Sequence, residues 1–387
     1  MRGIYLFITA ALLGASSLQA QTQDRDSVEE STSHPFYTRG IIGKVKSYLD
    51  NTNKPKPDKK FDFSVIGGPH YSSDTKLGIG LVAAGLYRPN LADTITSTSD
   101  VSAYGDITTS GYYKLGISGH HFFPEDRWRI DYDVYFESNP DRFWGIGYDN
   151  ANNDANETKY TRWQSRFVAS VTHRIIPHLY VGPQIQIEYI NGHKVADPTL
   201  WQGMAMHTFT NGAGIVGIYD TRDNVVNAYC GVYMRIDQMF YPKFTGNRYA
   251  FSSTELTLCH YRSVWRGGIL AMQLHTRLTY GNTPWGLMSK MGGSSNMRGY
   301  YKGRYNDKSL ADVTVELRQH VWRRSGIVAW VGAGQVFHNL SDIQMRHTLP
   351  NYGLGYRWEF KNRVNVRLDY GFGKHQSGFM FNINEAF

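Results

Sequence analysis

Hydrophobic and polar residues alternate with a period of two along most of the chain from Phe61 onward, and helical periodicity is nearly absent there. In the segment 127–137 the even-numbered positions, Trp128 to Phe136, are all apolar or aromatic. The odd-numbered positions are charged, apart from Tyr135. Successive side chains of a β-strand point to opposite faces, so the pattern predicts strands with one apolar and one polar surface.

About sixteen segments show this alternation, and an even number of antiparallel strands places both ends of the region on one side, as in bacterial single-chain barrels. Most connections after even-numbered segments are short, whereas several after odd-numbered segments are long, as in barrels with short periplasmic turns and long external loops. We therefore predict an all-β fold, a transmembrane antiparallel β-barrel of sixteen strands over residues 61–387. The predicted strands are 61–72, 76–88, 98–109, 111–122, 127–137, 160–174, 179–190, 208–220, 231–241, 249–263, 267–281, 310–321, 326–338, 349–360, 364–373 and 378–387.

The first twenty residues have the features of a secretory signal peptide. A basic start at Arg2 precedes an apolar run from Ile4 to Ala15, and small residues lead to a cleavage position at Ala20. Residues 1–20 are therefore expected to direct export in a Gram-negative cell and to be removed.

Residues 21–60 differ from the rest of the chain. Gln21 to Ser33 is polar, and apolar residues then fall at helical spacing within 38–50, before a Lys-Pro-Lys-Pro sequence. This pattern predicts a periplasmic tether with one short amphipathic helix. A spacer without structure is the alternative, because a single short helix is marginal on its own.

Composition favours a barrel over a soluble exported protein. The chain has 27 Tyr, 19 Phe and 9 Trp, which suits aromatic girdles at two membrane interfaces. The mean hydropathy of −0.44 is compatible with strands whose inner face is polar. The formal charge of +8 is expected to come from scattered Arg and Lys in the lumen and at the rims, not from a nucleic-acid site.

The last predicted strand, 378–387, carries an aromatic pattern. Phe379, Phe381, Ile383 and Phe387 fall on one face, with Glu385 as the one break. A closing strand whose final aromatic residue lies at the periplasmic interface fits this pattern. It also resembles the C-terminal signal by which outer-membrane barrels are recognised for insertion.

A glycine-rich motif follows the eleventh segment and has the sequence Gly292-Gly293-Ser294-Ser295-Asn296-Met297-Arg298-Gly299-Tyr300. It resembles the conserved loop of the Omp85 superfamily of outer-membrane barrels, whose tip has an Arg-Gly-aromatic sequence between strands eleven and twelve of sixteen. Three further segments support the resemblance: the strand end Asp220-Thr221-Arg222-Asp223-Asn224, the segment Arg367 to Gly371 and the ending Asn382 to Phe387. The resemblance covers most of 61–387 and implies a barrel with this loop folded inward.

The loop chemistry agrees with that expectation. Alternation places Asp312, Glu316 and Asp369 on the inward face, where a guanidinium group seeks carboxylates. Arg298 is therefore expected to bind Glu316, with Asp369 and Asp312 as further partners. Gly299 permits close approach to the wall, and Tyr300 can pack against the barrel interior. The alternative is an external loop whose arginine has no special role.

The N-terminal region departs from the family pattern. Assembly factors and transporters of the superfamily carry periplasmic POTRA domains, and forty residues before the barrel are too few for one. The barrel architecture therefore carries over to this chain, whereas substrate handling of the BamA type does not.

No catalytic motif is found. The sequence has no G-x-S-x-G elbow and no H-E-x-x-H, and the adjacent His120 and His121 face opposite sides of a strand. Cys230 and Cys259 fall on opposite faces of neighbouring strands, which argues against a disulfide. We therefore expect no enzyme activity, no cofactor and no metal site.

Two functions remain open. The first is assisted insertion or translocation of proteins or lipids through a seam between the segments 61–72 and 378–387, since Gly67, Gly68 and Pro69 weaken strand pairing. Its expected partners are outer-membrane lipids, unfolded or partly folded membrane proteins, and the machinery that inserts the barrel itself. The second is a passive channel or structural barrel.

Overall fold

The computed structural model describes residues 61–87, 96, 99–361 and 363–387. The predicted signal peptide and the predicted tether with its helix lie outside these residues, so both remain predictions.

Sixteen antiparallel strands form a closed barrel, as predicted, and two further strands of two residues pair inside one connection. The closure pairs the first barrel strand with the last. The barrel strands are β1 (Phe61–Ser72), β2 (Lys76–Tyr87), β3 (Ser99–Thr108), β4 (Tyr113–Phe122), β5 (Trp128–Phe143), β6 (Thr158–Ile176), β7 (Leu179–His193), β8 (His207–Asp220), β9 (Gly231–Tyr241), β10 (Phe251–Trp265), β11 (Gly268–Gly281), β14 (Ser309–Trp322), β15 (Ser325–Phe337), β16 (Leu349–Lys361), β17 (Val364–Gly373) and β18 (Gln376–Ile383). The short pair is β12 (Ser289–Lys290) with β13 (Asn306–Asp307).

The helices in the described residues are single turns in connections. One is α-helical, α1 (Tyr148–Ala151), and the others are 3-10 helices. These are Pro124–Asp126, Asp154–Asn156, Pro198–Trp201, Lys243–Thr245, Trp285–Leu287, Leu340–Asp342 and Met345–His347. None of the described helices has the length and apolar character needed to cross a membrane.

The outward face of the barrel is apolar, as the alternation predicted. In β5, the side chains of Trp128, Val134 and Phe136 are exposed, whereas the neighbouring Tyr135 and Glu137 are buried. Exposed large apolar side chains recur in the other strands, from Leu115 in β4 to Leu354 in β16. A continuous apolar surface of this kind suits contact with lipid chains.

The two ends of the barrel are built differently. We call the end that holds residue 61 and residue 387 the terminal end, and the opposite one, with the connections 144–157, 194–206 and 282–308, the loop end. These connections fold over the loop end and bury aromatic side chains there. Two apolar clusters result: one is Phe143, Tyr160, Ile190, Trp201, Met239, Tyr241, Phe251, Trp285 and Leu287, and the other is Trp144, Ala151, Met291, Met297, Tyr300, Tyr305, Leu310, Val336 and Leu349.

The predicted strand 378–387 is wrong at its end, because β18 stops at Ile383. Asn384 takes a positive φ of 72° and donates its N–H to the carbonyl of Asn365 at 2.6 Å, which turns the chain inward. Phe387 then lies beside Tyr261, with ring centroids 6.4 Å apart, whereas Phe379 stays exposed on the outer face. The four residues predicted on one face do not share it.

Candidate functional site

The connection between β11 and β14 folds back into the barrel. Residues 291–305, which we call the arginine loop, lie between the short strands β12 and β13. Backbone hydrogen bonds close it, from Met291 N to Tyr305 O at 2.9 Å and from Gly293 N to Tyr300 O at 3.2 Å. Its turns place several residues at positive φ, which explains the glycine content. These residues are Gly292, Gly293, Met297, Gly299 and Gly303.

Arg298 lies at the tip of the arginine loop and is fully buried. One nitrogen of its guanidinium group donates to Asp369 Oδ2 at 2.8 Å, and the other donates to Glu316. The guanidinium carbon also lies over the Trp330 ring, 3.6 Å from its centroid. A planar cation held by two carboxylates and one aromatic face has a single orientation, so the loop tip is fixed to the barrel wall.

Gly299 allows the backbone of the loop to touch the backbone of β17. A Cβ atom on Gly299 would lie 2.5 Å from the carbonyl carbon of Gly371, and one on Gly371 would lie 2.3 Å from the carbonyl oxygen of Arg298. Neither position therefore tolerates a side chain without displacement of the loop. Asn351 completes the contact by donating its side-chain amide to the carbonyl of Arg298.

Tyr300 anchors the other side of the tip. Its hydroxyl donates to Pro350 O at 2.7 Å and accepts from Lys374 N at 2.6 Å. The ring fills the space beside Gly373, where a Cβ atom would lie 2.3 Å from ring carbons. Tyr300 thus connects the loop with both β16 and the turn after β17.

The arginine pair belongs to a closed ring of alternating charges. Starting from Arg298, the ring passes through Glu316, Arg318, Glu385, Arg357 and Asp369, and back to Arg298. The distances are 2.7 Å for Glu316–Arg318, 3.7 Å for Arg318–Glu385, 2.8 Å for Glu385–Arg357 and 2.5 Å for Arg357–Asp369. All six side chains are buried, and we call this set the ion-pair ring.

The greater part of the chain, residues 101–387, matches the family model described as the Omp85 superfamily domain. The chain belongs to the Omp85 superfamily. No curated protein matches the sequence.

Solved structures of Omp85 barrels share this fold. BamA from Haemophilus ducreyi lacking POTRA domains 1–3 is 11% identical, with a TM-score of 0.60, and the match covers 82% of this chain and 69% of that one. CdiB from Escherichia coli is 11% identical with a TM-score of 0.58, and CdiB from Acinetobacter baumannii is 13% identical with 0.53. Each CdiB match covers 84% of this chain, but only 63% and 60% of the respective CdiB chains.

One predicted loop partner of this Omp85 barrel is wrong. Asp312 faces the lumen, but its carboxylate binds His275 Nδ1 at 2.9 Å, not Arg298. Asp312 lies four residues before Glu316 on β14, which is about 13 Å along an extended strand and beyond the reach of the same guanidinium group.

Arg357, Glu385 and Trp330 were missed as partners of the loop. Arg357 and Trp330 occupy inward positions of β16 and β15. Alternation predicts that inward orientation, but it does not predict a contact with the loop. Glu385 is the one charged residue in the aromatic pattern of the last strand, and this break in the pattern could have indicated that Glu385 has a different role. It is buried in the ion-pair ring.

The Asp220–Asn224 motif of this Omp85 chain builds a turn at the terminal end. Asp220 binds Arg222 at 2.7 Å, Asp223 accepts the N–H of Tyr229 at 2.8 Å, and Asn224 accepts two further backbone N–H groups. These contacts shape residues 221–230, which we call the strap. The motif therefore has a structural role in the fold.

The strap crosses the terminal end of the barrel. Strands β8 and β9 carry it, yet its tip contacts Arg363 in the turn between β16 and β17, and four strands of the barrel separate β9 from β16. Arg363 binds Asp223 at 3.1 Å and lies 3.4 Å over the Tyr229 ring. Val226 of the strap also packs against Val364 and Ile383. The terminal opening is thus covered from one wall to the other.

The two cysteines are free, as predicted. Cys259 is buried on the inner face of β10, and Cys230 is exposed just before β9. Among the described residues, no group of three or more His, Cys, Asp or Glu is placed to hold a metal ion.

The arginine loop also contacts both sides of the barrel closure, at β18 and at the turn after β1. Tyr301 N donates to the side chain of Gln376, at the start of β18, at 3.0 Å. Lys302 N donates to Asp74, in the turn between β1 and β2, at 3.3 Å. The Phe379 N–H of β18 in turn donates to the hydroxyl of Ser73 at 3.1 Å. The loop therefore buttresses the closure at the loop end.

Asp74 makes this contact sensitive to pH. Burial raises its pKa from the usual 3.8 to about 6, with the Lys302 N–H acting in the opposite direction. A carboxyl whose folded pKa is raised favours folding when protonated, so stability declines as pH rises from about 4 to about 6. We expect Asp74→Asn to abolish that decline and to melt higher than the wild type above pH 6. Melting curves from the heat-dependent gel shift at several pH values test this.

The matched control for Asp74 is Asp149→Asn, because Asp149 is an exposed carboxylate of another loop. It should leave the pH profile of the wild type unchanged. A melting difference between Asp74→Asn and wild type that is the same at pH 4 and pH 7 would contradict the assignment.

Proposed function

We propose that this Omp85 barrel assists the insertion or translocation of proteins or lipids at the outer membrane, through the seam between β1 and β18. The observation that carries the proposal is the short pairing there. Only Tyr71↔Phe381 and Ser72↔Met380 are paired across the seam in the described residues. Every other neighbouring pair of barrel strands has at least eight paired positions.

The ladder across the seam occupies only one end of β1. Among the described residues, β1 pairs with β18 at Tyr71 and Ser72, although residues 61–72 pair fully with β2 on the other side. Backbone N–H and C=O groups left outside a ladder are costly in a bilayer, so a strand edge with so short a ladder favours pairing with another extended segment. An incoming strand could add to it by main-chain hydrogen bonds.

The residues of β1 agree with a weak edge. Pro69 has no N–H to donate, and a Cβ atom on Gly68 would meet no atom within 4 Å. Phe61, Phe63 and Val65 expose apolar side chains to the lipid face. The seam therefore combines a poorly paired backbone with an apolar outer surface, which suits an opening toward lipid.

The arginine loop is proposed to set how far the seam opens. The two paired positions lie at the loop end, where the loop contacts Gln376 and Asp74. In the part of the chain that the structure describes, the β1–β18 ladder does not continue from Tyr71 toward the terminal end, which the contacts of the loop do not reach. The ion-pair ring holds the loop in place and includes Glu385, two residues after β18 ends. The same contacts therefore hold the loop in position and keep the seam closed at the loop end.

A passive channel is the less favoured function. The apolar clusters fill the loop end, and the strap covers the terminal end. We further propose that the barrel acts without catalytic chemistry, with protein or lipid as its cargo. Its N-terminal side is proposed to face the periplasm.

A reversible lock across the seam tests the proposal. The double variant Tyr71→Cys/Phe381→Cys joins β1 to β18 in a background with Cys230→Ser and Cys259→Ala. The full chain is reconstituted in vesicles, and the folding rate of a urea-unfolded small outer-membrane barrel is followed by its gel shift. Scrambling of a fluorescent phospholipid is measured in parallel. We expect the reduced variant to accelerate one of these processes and oxidation to remove the acceleration.

The control lock joins strands that do not form the seam. Phe372→Cys/Ser377→Cys links β17 to β18 at paired positions that are exposed, whereas Tyr71 and Phe381 are partly buried. Its activity should be the same before and after oxidation. Full activity of the oxidised seam lock, or steady ion conductance without any acceleration, would refute the proposed function.

A further inference from the structure

Two hairpin turns lie side by side at the terminal end, because β11 pairs with β14. Each includes the end of the strand before it: residues 262–267 cover the end of β10 and its turn into β11, and residues 321–324 cover the end of β14 and its turn into β15. The turns are connected by a hydrogen bond from His320 N to Gly267 O at 2.8 Å. A second joins Trp265 Nε1 to Gln319 at 2.6 Å. We call the two turns together the basic rim patch.

The basic rim patch is strongly cationic. It contains Arg262, Arg266, Arg323 and Arg324, and no acidic residue occurs in either turn. In the described part of the chain, no carboxylate forms an ion pair with the side chains of Arg262, Arg266 or Arg323. Four other arginines at this end are matched by neighbouring acids: Arg127 with Glu125, Arg129 with Asp126, Arg222 with Asp220 and Arg363 with Asp223.

The patch lies at the border of the apolar outer face. Trp265 is 55% exposed and Trp322 is 63% exposed, and Val264 and Val321 beside them are exposed as well. Tryptophan side chains prefer the boundary between lipid chains and headgroups. The four cations therefore lie at headgroup height.

Two of the arginines are oriented for that position. Arg262 occupies the same outward phase of β10 as Leu258 and is exposed, so its side chain can extend from the lipid face toward the headgroups. Arg323 stacks on the Trp322 ring, with 4.4 Å from the guanidinium carbon to the ring centroid. This contact holds a cation beside an aromatic side chain at the interface.

We propose that the basic rim patch binds the phosphate groups of anionic phospholipids in the leaflet next to the terminal end. A guanidinium group binds phosphate with two parallel hydrogen bonds, and clustered arginines beside a membrane attract anionic headgroups. The exposed tryptophans select a lipid over a soluble protein as the occupant, because they place the patch against the bilayer. This site is independent of the seam and would anchor one side of the barrel in the leaflet.

Native mass spectrometry of the full chain tests the site. The protein is released from micelles that contain equal amounts of phosphatidylglycerol and phosphatidylcholine, and the lipids that remain bound are counted. We expect the wild type to retain phosphatidylglycerol preferentially and to lose the preference at high salt. The variant Arg262→Gln/Arg266→Gln/Arg323→Gln should bind phosphatidylglycerol more weakly by roughly fivefold for each charge removed.

The control removes three exposed cations from the loop end, as Lys159→Gln/Lys243→Gln/Arg248→Gln. It should keep the preference of the wild type. An unchanged preference in the rim variant, or an equal loss in both variants, would overturn the proposal. If the triple variant fails to fold, the proposal is tested with Arg266→Gln alone and with the salt titration of the wild type. Both should weaken the preference for phosphatidylglycerol, and no change in either would overturn the proposal. Crosslinking from position 266 to a protein, with lipid preference unchanged, would identify a protein surface instead.

Discussion

Replacing Glu316 with glutamine is expected to destabilise the folded barrel by about 3–5 kcal/mol, because it removes one member of a buried ion-pair network. Glu316 binds both Arg298 and Arg318, and it is fully buried. With Arg367 beside Asp369, four guanidinium groups share three carboxylates in this region. The substitution leaves the four cations with two carboxylates, far from water.

Arg298→Ala is the informative comparison, because it changes the charge balance in the opposite direction. Both acids keep a second arginine, since Glu316 retains Arg318 at 2.7 Å and Asp369 retains Arg357 at 2.5 Å. Three cations then face three carboxylates. We expect the barrel to lose only about 1–3 kcal/mol, while the arginine loop is released from the wall.

The two variants should therefore separate stability from loop position. Melting of the barrel is followed by the heat-dependent gel shift, and release of the loop is followed by protease cleavage within residues 291–305. Both variants should expose the loop, whereas Glu316→Gln alone should melt at a much lower temperature. Arg298→Lys should restore the loop poorly, because an ammonium group cannot reproduce the planar contacts to Glu316, Asp369 and Trp330.

Equal melting temperatures for Glu316→Gln and Arg298→Ala would contradict the charge argument. Equal cleavage of the loop in wild type and both variants would show that the ion pair does not hold it. The double variant adds a further check, since it should release the loop no more than either single variant does.

The barrel could be predicted from sequence because alternation is a local signal. Each strand of a membrane barrel needs one lipid-facing and one inward-facing set of side chains, and the segment 127–137 shows both sets without any knowledge of its neighbours. All sixteen barrel strands lie within or close to the predicted segments. The strand ends were predicted less accurately, because β5 and β6 extend beyond the predicted bounds at the loop end.

The inward fold of the arginine loop was implied by the resemblance of its motif to the Omp85 loop, and alternation then supplied candidate partners for Arg298. A buried guanidinium group requires carboxylates, and alternation had already placed Glu316 and Asp369 on the inner face. Both bind Arg298 in the structure. Asp312 is also a carboxylate on the inner face, but it does not bind Arg298. Alternation does not say how far along β14 the loop tip lies. That position depends on the contact between Gly299 and Gly371.

Contacts across the barrel could not be derived from the pattern. Glu385 joins the ion-pair ring only because the chain turns inward at Asn384, and a strand pattern predicts no such turn. The strap likewise depends on a contact between distant parts of the chain. Its tip reaches Arg363 on the opposite wall, more than a hundred residues later in the sequence, and only the closed barrel brings them together.

Removal of the strap is expected to expose Cys259, which serves as a natural probe of the terminal end. Cys259 faces inward and is packed against Ala228 of the strap, with Tyr261 and Phe387 around it. A maleimide added to the folded protein should therefore react slowly with this thiol. The reaction is measured in the Cys230→Ser background, because Cys230 is exposed and would be labelled first.

In the test variant, residues 223–229 are replaced by a short Gly-Ser turn, which removes Ala228 together with Asp223 and Tyr229, the side chains that contact Arg363. We expect labelling of Cys259 to accelerate by at least about tenfold, since the thiol no longer needs a local opening to react. Arg363→Ala should give a smaller increase, because it removes the ion pair with Asp223 and the stacking on Tyr229 but leaves the strap in place. The unheated gel band must stay compact in both variants, which shows that the barrel wall is intact. Fast labelling already in the wild type, or no acceleration on removal of the strap, would mean that the strap does not close this end and would return the passive channel to consideration.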